Sequence, residues 1–230
     1  MNEWFKFNGI NSRDMGVIIT SMPDTVRPER RISAIPIAGR NGNLHIDEGV
    51  YESYLRTMEC AISKHAKIDE IAAWLNGSGE LILSTEPDKI YKIMISNKIE
   101  ISQMMRYFRK FMITMDTFPF KYSVNRADEE KTLTAPTTIY NQGTVYSEPT
   151  ITIYGTGNVT LAINGNNYTL SGIDGYVTIN SEMQEVYKGN ENKNNSYGAM
   201  DFPRFEVGAN AISWTGNVAK VEIEPKWRWL

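Results

Sequence analysis

Cysteine and histidine are nearly absent from this chain. Cys60 stands alone among 230 residues, and His45 and His65 are the only histidines. One cysteine excludes an intrachain disulfide framework and fits synthesis in a reducing compartment. A zinc-class site needs three or four ligands at close spacing, and two histidines twenty residues apart with one cysteine do not supply it. Charge of one sign is also lacking. Lys and Arg number 24 against 27 Asp and Glu, for a net charge of −3. Residues 1–135 balance at 18 against 18 and residues 136–230 carry 6 against 9, so no region is basic enough to neutralise a run of phosphates. No nucleic-acid partner is expected. No window approaches the ~20 apolar residues of a membrane-crossing helix, and the opening residues lack the basic start and apolar run of a signal peptide.

The chemistry-bearing motifs are equally sparse. Gly155-Thr156-Gly157 lacks the third glycine and following helix of a dinucleotide fingerprint, so it reads as a hairpin turn. No Gly-x-Ser-x-Gly elbow and no Gly-Lys-Ser/Thr phosphate loop occurs. Asp47-Glu48 is a tight acidic pair, but neighbours on a strand point to opposite faces and cannot flank one bond. The expectation is a non-enzymatic protein with no cofactor and no metal.

What is present is short β-strand signal. Apolar runs around Asn8-Gly9 read as a hairpin. Residues 22–50 carry Pro23, Pro28 and Pro36, which exclude a helix, and Arg27, Arg30, Arg31 and Arg40, which keep the stretch solvated. Such a segment reads as an extended arm or long hairpin. A strand over 51–62 precedes one good helix, where Ile68, Ile71, Ala72 and Leu75 follow helical spacing before Gly77. Strands are then expected over 80–84, 91–98 and 106–116, with a turn at Pro87-Asp88. Residues 123–138 read as a linker, giving domains 1–132 and 133–230. Beyond it, about eight short strands separated by turn signals indicate an antiparallel β-sandwich or jelly roll, including 151–154, 159–163, 168–170, 176–180, 204–207, 211–214 and 218–224. Trp227 and Trp229 share a strand face by spacing, and the intervening Lys226 and Arg228 suggest exposure, so both are candidates for stacking on a sugar ring.

Several stretches together resemble the distal tail protein family of long-tailed bacteriophages, often called Dit. They are 4–17, the Ile35-Pro36-Ile37-Ala38-Gly39-Arg40-Asn41-Gly42 segment, Ala73-Trp74-Leu75-Asn76-Gly77, Phe118-Pro119-Phe120, and Phe202-Pro203-Arg204-Phe205 with Pro225-Lys226-Trp227. Met115-Asp116-Thr117 departs from the more apolar approach expected before Phe118. The resemblance implies a mainly β fold: a β-sandwich-like amino-terminal domain with one helix and an arm, then a galectin-like or carbohydrate-module-like sandwich. It also implies a homo-hexameric ring that joins the tail tube protein to tail-tip or baseplate proteins in the virion. The expected subunit interface is the arm, through Arg30, Ile32, Ile35, Ile37, Gly39, Arg40, Asn41, Gly42 and Leu44. The competing expectation is a carbohydrate-binding module for host cell-wall saccharide.

Overall fold

The computed structural model describes residues 3–62, 66–95, 102–105 and 108–230. Contacts divide the chain into two compact units, Met1–Lys121 and Tyr122–Trp229.

In the first unit, β1 (Phe5–Phe7) turns through Asn8-Gly9, both at positive φ, into β2 (Ile10–Asn11). That is the two-residue turn whose twist suits a hairpin. After β3 (Val17–Ser21), the arm consists of β4 (Arg30–Pro36) and β5 (Asn43–Tyr51), paired with each other and, among the described residues, with no other strand. β6 (Tyr54–Ile62) follows a break at Glu52-Ser53, so the strand expected from Tyr51 starts later. Helix α1 (Ile68–Trp74) is only seven residues long. Its stability therefore comes from packing rather than propensity. Ile71 is fully buried, and Trp74 stacks on Phe5 at 5.4 Å and donates its indole N–H to the Phe7 carbonyl at 3.0 Å.

Strands β7 (Gly77–Leu83), β8 (Glu86–Ile95), β9 (Ser102–Met105) and β10 (Phe108–Ser123) complete an antiparallel sheet of order β2-β1-β7-β8-β10-β6-β3, with β9 on β10. The turn between β7 and β8 is Ser84-Thr85. Pro87-Asp88 instead lies in β8 where the register slips between Leu83↔Glu86 and Leu81↔Tyr91, an irregularity that tolerates a residue without an N–H. The expected strand ends at Lys98 and Arg106 lie outside the described residues, as does His65. One face of this sheet holds the core: Phe5, Phe7, Val17, Met58, Cys60, Leu81, Ile93, Ile113 and Met115 are all buried. Burial pushes the Cys60 thiol up to about 12, which leaves it protonated and inert at neutral pH.

At one margin of this unit a charged cluster is built around Glu86. Lys121 donates to its carboxylate at 2.8 Å, the Tyr91 hydroxyl also donates to it, and the buried Arg56 guanidinium lies 4.8 Å over the Tyr91 ring. Burial pushes the Glu86 carboxyl upward, but the Lys121 and Tyr91 hydrogen bonds outweigh it and hold the group below its usual range. A depressed carboxylate contributes stability that is present above the unfolded-state value and lost as pH falls through the folded one. Urea midpoints should therefore fall as the solution is acidified below the ordinary Glu value of 4.5. Glu86→Gln should be less stable at pH 7 and should flatten that acid slope. Equal slopes for the two proteins would remove Glu86 as the source.

The second unit begins at Tyr122, so the stretch expected as a linker belongs to it. A 3₁₀ turn at Arg126–Glu129 leads to β11 (Lys131–Leu133), then β12 (Thr137–Asn141). Three long strands follow: β13 (Thr150–Ile163), β14 (Asn166–Asn180) and, after β15 (Glu185–Lys188) and β16 (Glu191–Asn192), β17 (Gly208–Glu224). β18 (Arg228–Trp229) is last. The sheet order is β11-β17-β13-β14-β15-β16, with β12 on the first part of β17.

Each long strand replaces two expected short ones. Gly155-Thr156-Gly157 does not reverse the chain: Gly155 pairs with Gly175 of β14 and Val218 of β17, and the register shifts beside it. The glycines mark a bend shared by all three strands. Strands that bend this way carry one sheet around a core. Residues from both arms of β13, Ile151 and Ile153 with Leu161 and Ile163, meet in a single buried cluster with Phe205, Ile212, Val221 and Trp227. Residues 204–207 do not form a strand. Phe205 makes only an isolated bridge to Ser147.

Candidate functional site

The arm is the most exposed ordered element of the first unit. Every residue of β4 and β5 is exposed except Ser33 and Tyr51, which are half-buried. Its register pairs Ile35 with Leu44, Ala34 with His45, Ser33 with Ile46, and Ile32 with Asp47. Directly opposed residues share a face and faces alternate along a strand. Ile35, Leu44, Ser33 and Ile46 therefore lie on one side, and Ile37 continues that row toward the tip. Ile32, Ala34, Pro36, Asn43, His45 and Asp47 lie on the other. Ile35, Ile37, Leu44 and Ile46 are 44%, 39%, 40% and 44% exposed, an aliphatic stripe held in water.

Polar contacts cross between the two sides of the ribbon. Arg31 makes a bidentate pair with Glu52 at 2.6 and 3.1 Å, Ser33 donates to Glu48, and Arg30 pairs with Asp47 while lying 5.3 Å over the Tyr51 ring. The Gly49 amide, then Arg30, hold the Asp47 carboxyl below its usual range. Tyr51 in turn packs edge-on against Phe120 at 5.6 Å, anchoring the base. At the tip the Arg40 amide donates to the Ile37 carbonyl at 3.2 Å, and Gly39 and Gly42 take the positive φ that the reversal requires.

The structure thus separates the sequence-derived interface set. Ile35, Ile37 and Leu44 share the apolar face, Ile32 sits on the opposite one, Arg30 is committed to Asp47, and Gly39, Arg40, Asn41 and Gly42 form the tip. Ile46 belongs with the stripe and was missed. Its alternation with Leu44 was the available signal.

The tryptophans of the second unit are placed otherwise than expected. Trp227 is 4% exposed and packs against Phe205 at 5.8 Å, so it has no free face to offer a sugar ring. Trp229 is half-buried against the same core. Arg228 between them is also buried. Its guanidinium donates to Glu148 at 2.9 Å and to the Tyr146 carbonyl at 3.0 Å.

A polar groove of about 620 Å³ does open in this unit. It is lined in part by Glu148, Asn166, Asn167, Tyr168, Ser181 and Arg204. Burial, and then Asp201, push the Tyr168 hydroxyl upward. The buried Ser181 hydroxyl at this groove makes no hydrogen bond among the described residues. Among those residues no group of three or more His, Cys, Asp or Glu is placed to hold a metal ion, and no helix is long and apolar enough to cross a membrane.

No protein-family model matches the chain, and no curated protein matches it. A solved structure does. The Dit protein of phage SPP1 is described as a paradigm of the hub adsorption apparatus in phages infecting Gram-positive hosts. It superposes with a TM-score of 0.74 at 13% identity, covering all of both chains. The resemblance read from the sequence is borne out at the level of architecture: this chain has the mainly β fold of phage SPP1 Dit from end to end.

Proposed function

We propose that this chain is a structural, non-catalytic phage tail protein that assembles into a ring-shaped hub. Six copies surround the tail axis and join the tail tube protein to the tail-tip or baseplate proteins. The protein is made in the cytoplasm of the bacterial host and works in the virion tail. The observation that carries this reading is the arm, a ribbon whose aliphatic stripe is left exposed among the described residues, on a fold shared over its full length with a phage hub protein. A lone two-stranded hairpin is marginal in water, and exposed apolar rows of this kind mark protein contacts. Negative-stain imaging and sedimentation of the purified protein should give closed rings with peripheral lobes. A chain that remains monomeric at every concentration would overturn the ring.

A second reading is favoured by the polar groove of the second unit. Its lining mixes amides, hydroxyls and one arginine with Glu148, Asp201 and Glu206, which suits a neutral saccharide of the host wall better than an anionic polymer. Isothermal titration of the full chain with neutral cell-wall oligosaccharides should then show binding that Arg204→Ala and Asn167→Ala weaken. No heat with any of them leaves this unit as a docking or structural domain.

A further inference from the structure

The outer face of the first unit's sheet, opposite its core, carries an apolar groove of about 540 Å³. Met94 and Phe118 supply its apolar surface, with Glu80, Lys92 and Asp116 among the polar residues around them. Met94 is 51% and Phe118 54% exposed, and the register sets Met94 beside Ser78 and Asp116 beside Leu55, itself 67% exposed. Asp116 is the charged member of the Met115-Asp116-Thr117 stretch that departs from the apolar approach expected in the sequence. It lies on the outer face because its neighbours Met115 and Thr117 point inward and are buried. Neither its carboxylate nor the Arg40 guanidinium makes an ion pair among the described residues.

We propose that this groove receives the arm of a second copy: the face bearing Ile35, Ile37, Leu44 and Ile46 seats against Met94 and Phe118, and Arg40 faces Asp116. This rests on the ring reading above and names the surface that the arm occupies. Three observations select the chain itself as occupant. The stripe and the groove are both apolar and both exposed in one unit. The arm tip carries an unpaired cation, and the groove carries an unpaired anion. The two surfaces are different parts of the same unit, so their contact is head-to-tail, the geometry that closes into a ring or runs on as a filament. A charge pair at such a contact fixes register as much as it adds affinity.

Two experiments on the full chain test this. In the first, Ile37→Cys and Met94→Cys are made singly and together. Buried Cys60 is left in place, because its thiol is protonated and inaccessible. A short bismaleimide should link the double variant into a ladder of covalent multimers. An equimolar mixture of the two single variants should stop at dimers, and each single variant alone should give none. In the second, Arg40→Asp and Asp116→Arg should each weaken self-association about tenfold, and the two combined should restore it. A merely misfolded variant would not be rescued in this way. Rings that form without cross-links and without charge-swap rescue overturn the groove assignment and leave the hub reading standing. A cross-linked product of monomer mass also overturns it, because the arm then lies on its own groove. Absence of any self-association sinks both.

Discussion

Replacing Ile35, Ile37, Leu44 and Ile46 together by serine should abolish ring assembly while leaving the folded monomer intact. All four side chains are roughly 40% exposed in the isolated chain, so they contribute little to monomer stability. Burying an aliphatic side chain fully is worth ~1.5–3 kcal/mol, and these begin about half covered. About 1 kcal/mol each on association is a reasonable scale, or about 4 kcal/mol for the set. That corresponds to roughly a thousandfold in the association constant. Sedimentation velocity and mass photometry would read it directly. Serine at the opposite-face positions Ala34, Asn43 and His45 should alter assembly far less. A quadruple variant that still forms rings at wild-type concentration would mean that the ribbon stands clear of its neighbours.

The arm was legible in the sequence because it is a local structure. Its prolines, glycines and arginines exclude a helix and a core strand, and Asn8-Gly9 and Asn164-Gly165 announce their turns with equal directness. Helix α1 was legible for the same reason, through one apolar row and its closing glycine. How the arm's apolar residues divide between its two faces was not read, because it depends on the pairing register and on a bulge between Arg30 and Ile32.

The tryptophans mark where local reading stops. Lys226 and Arg228 looked like signs of an exposed strand, yet Arg228 is buried because Glu148, eighty residues earlier, neutralises it. A buried guanidinium needs such a partner, and nothing adjacent in the sequence names it. The polar groove is hidden in the same way, since Glu148, the 164–168 hairpin and the 199–206 segment meet only in the fold. The outer-face groove was hinted at by a single misfit. Asp116 was out of place in an apolar run because that run belongs to a strand with two faces.

Glycine is where sequence reading was most misled, and where a small change should do most damage to the second unit. A glycine between two apolar runs can reverse a chain or only bend it, and periodicity does not distinguish the two. Here β13, β14 and β17 bend at one level, and the bend works only if the strands approach closely. A Cβ on Gly216 would lie 2.4 Å from the Asn158 carbonyl oxygen, at a φ of +102° that side chains avoid. One on Gly155 would lie 2.3 Å from the Asn217 carbonyl oxygen. Gly157, at the same bend, has φ +78° but no atom within 4 Å of its Cβ position. Gly157→Ala should therefore cost only backbone strain, about 1 kcal/mol. Gly216→Ala adds a backbone clash to that strain and should cost about 3 kcal/mol or more, because a neighbouring strand has to move. Urea unfolding followed by tryptophan emission can compare the two, since Trp214, Trp227 and Trp229 all contact this core. Equal losses would mean that the bend tolerates wider strand spacing, and that glycine is needed there for its dihedral angles alone.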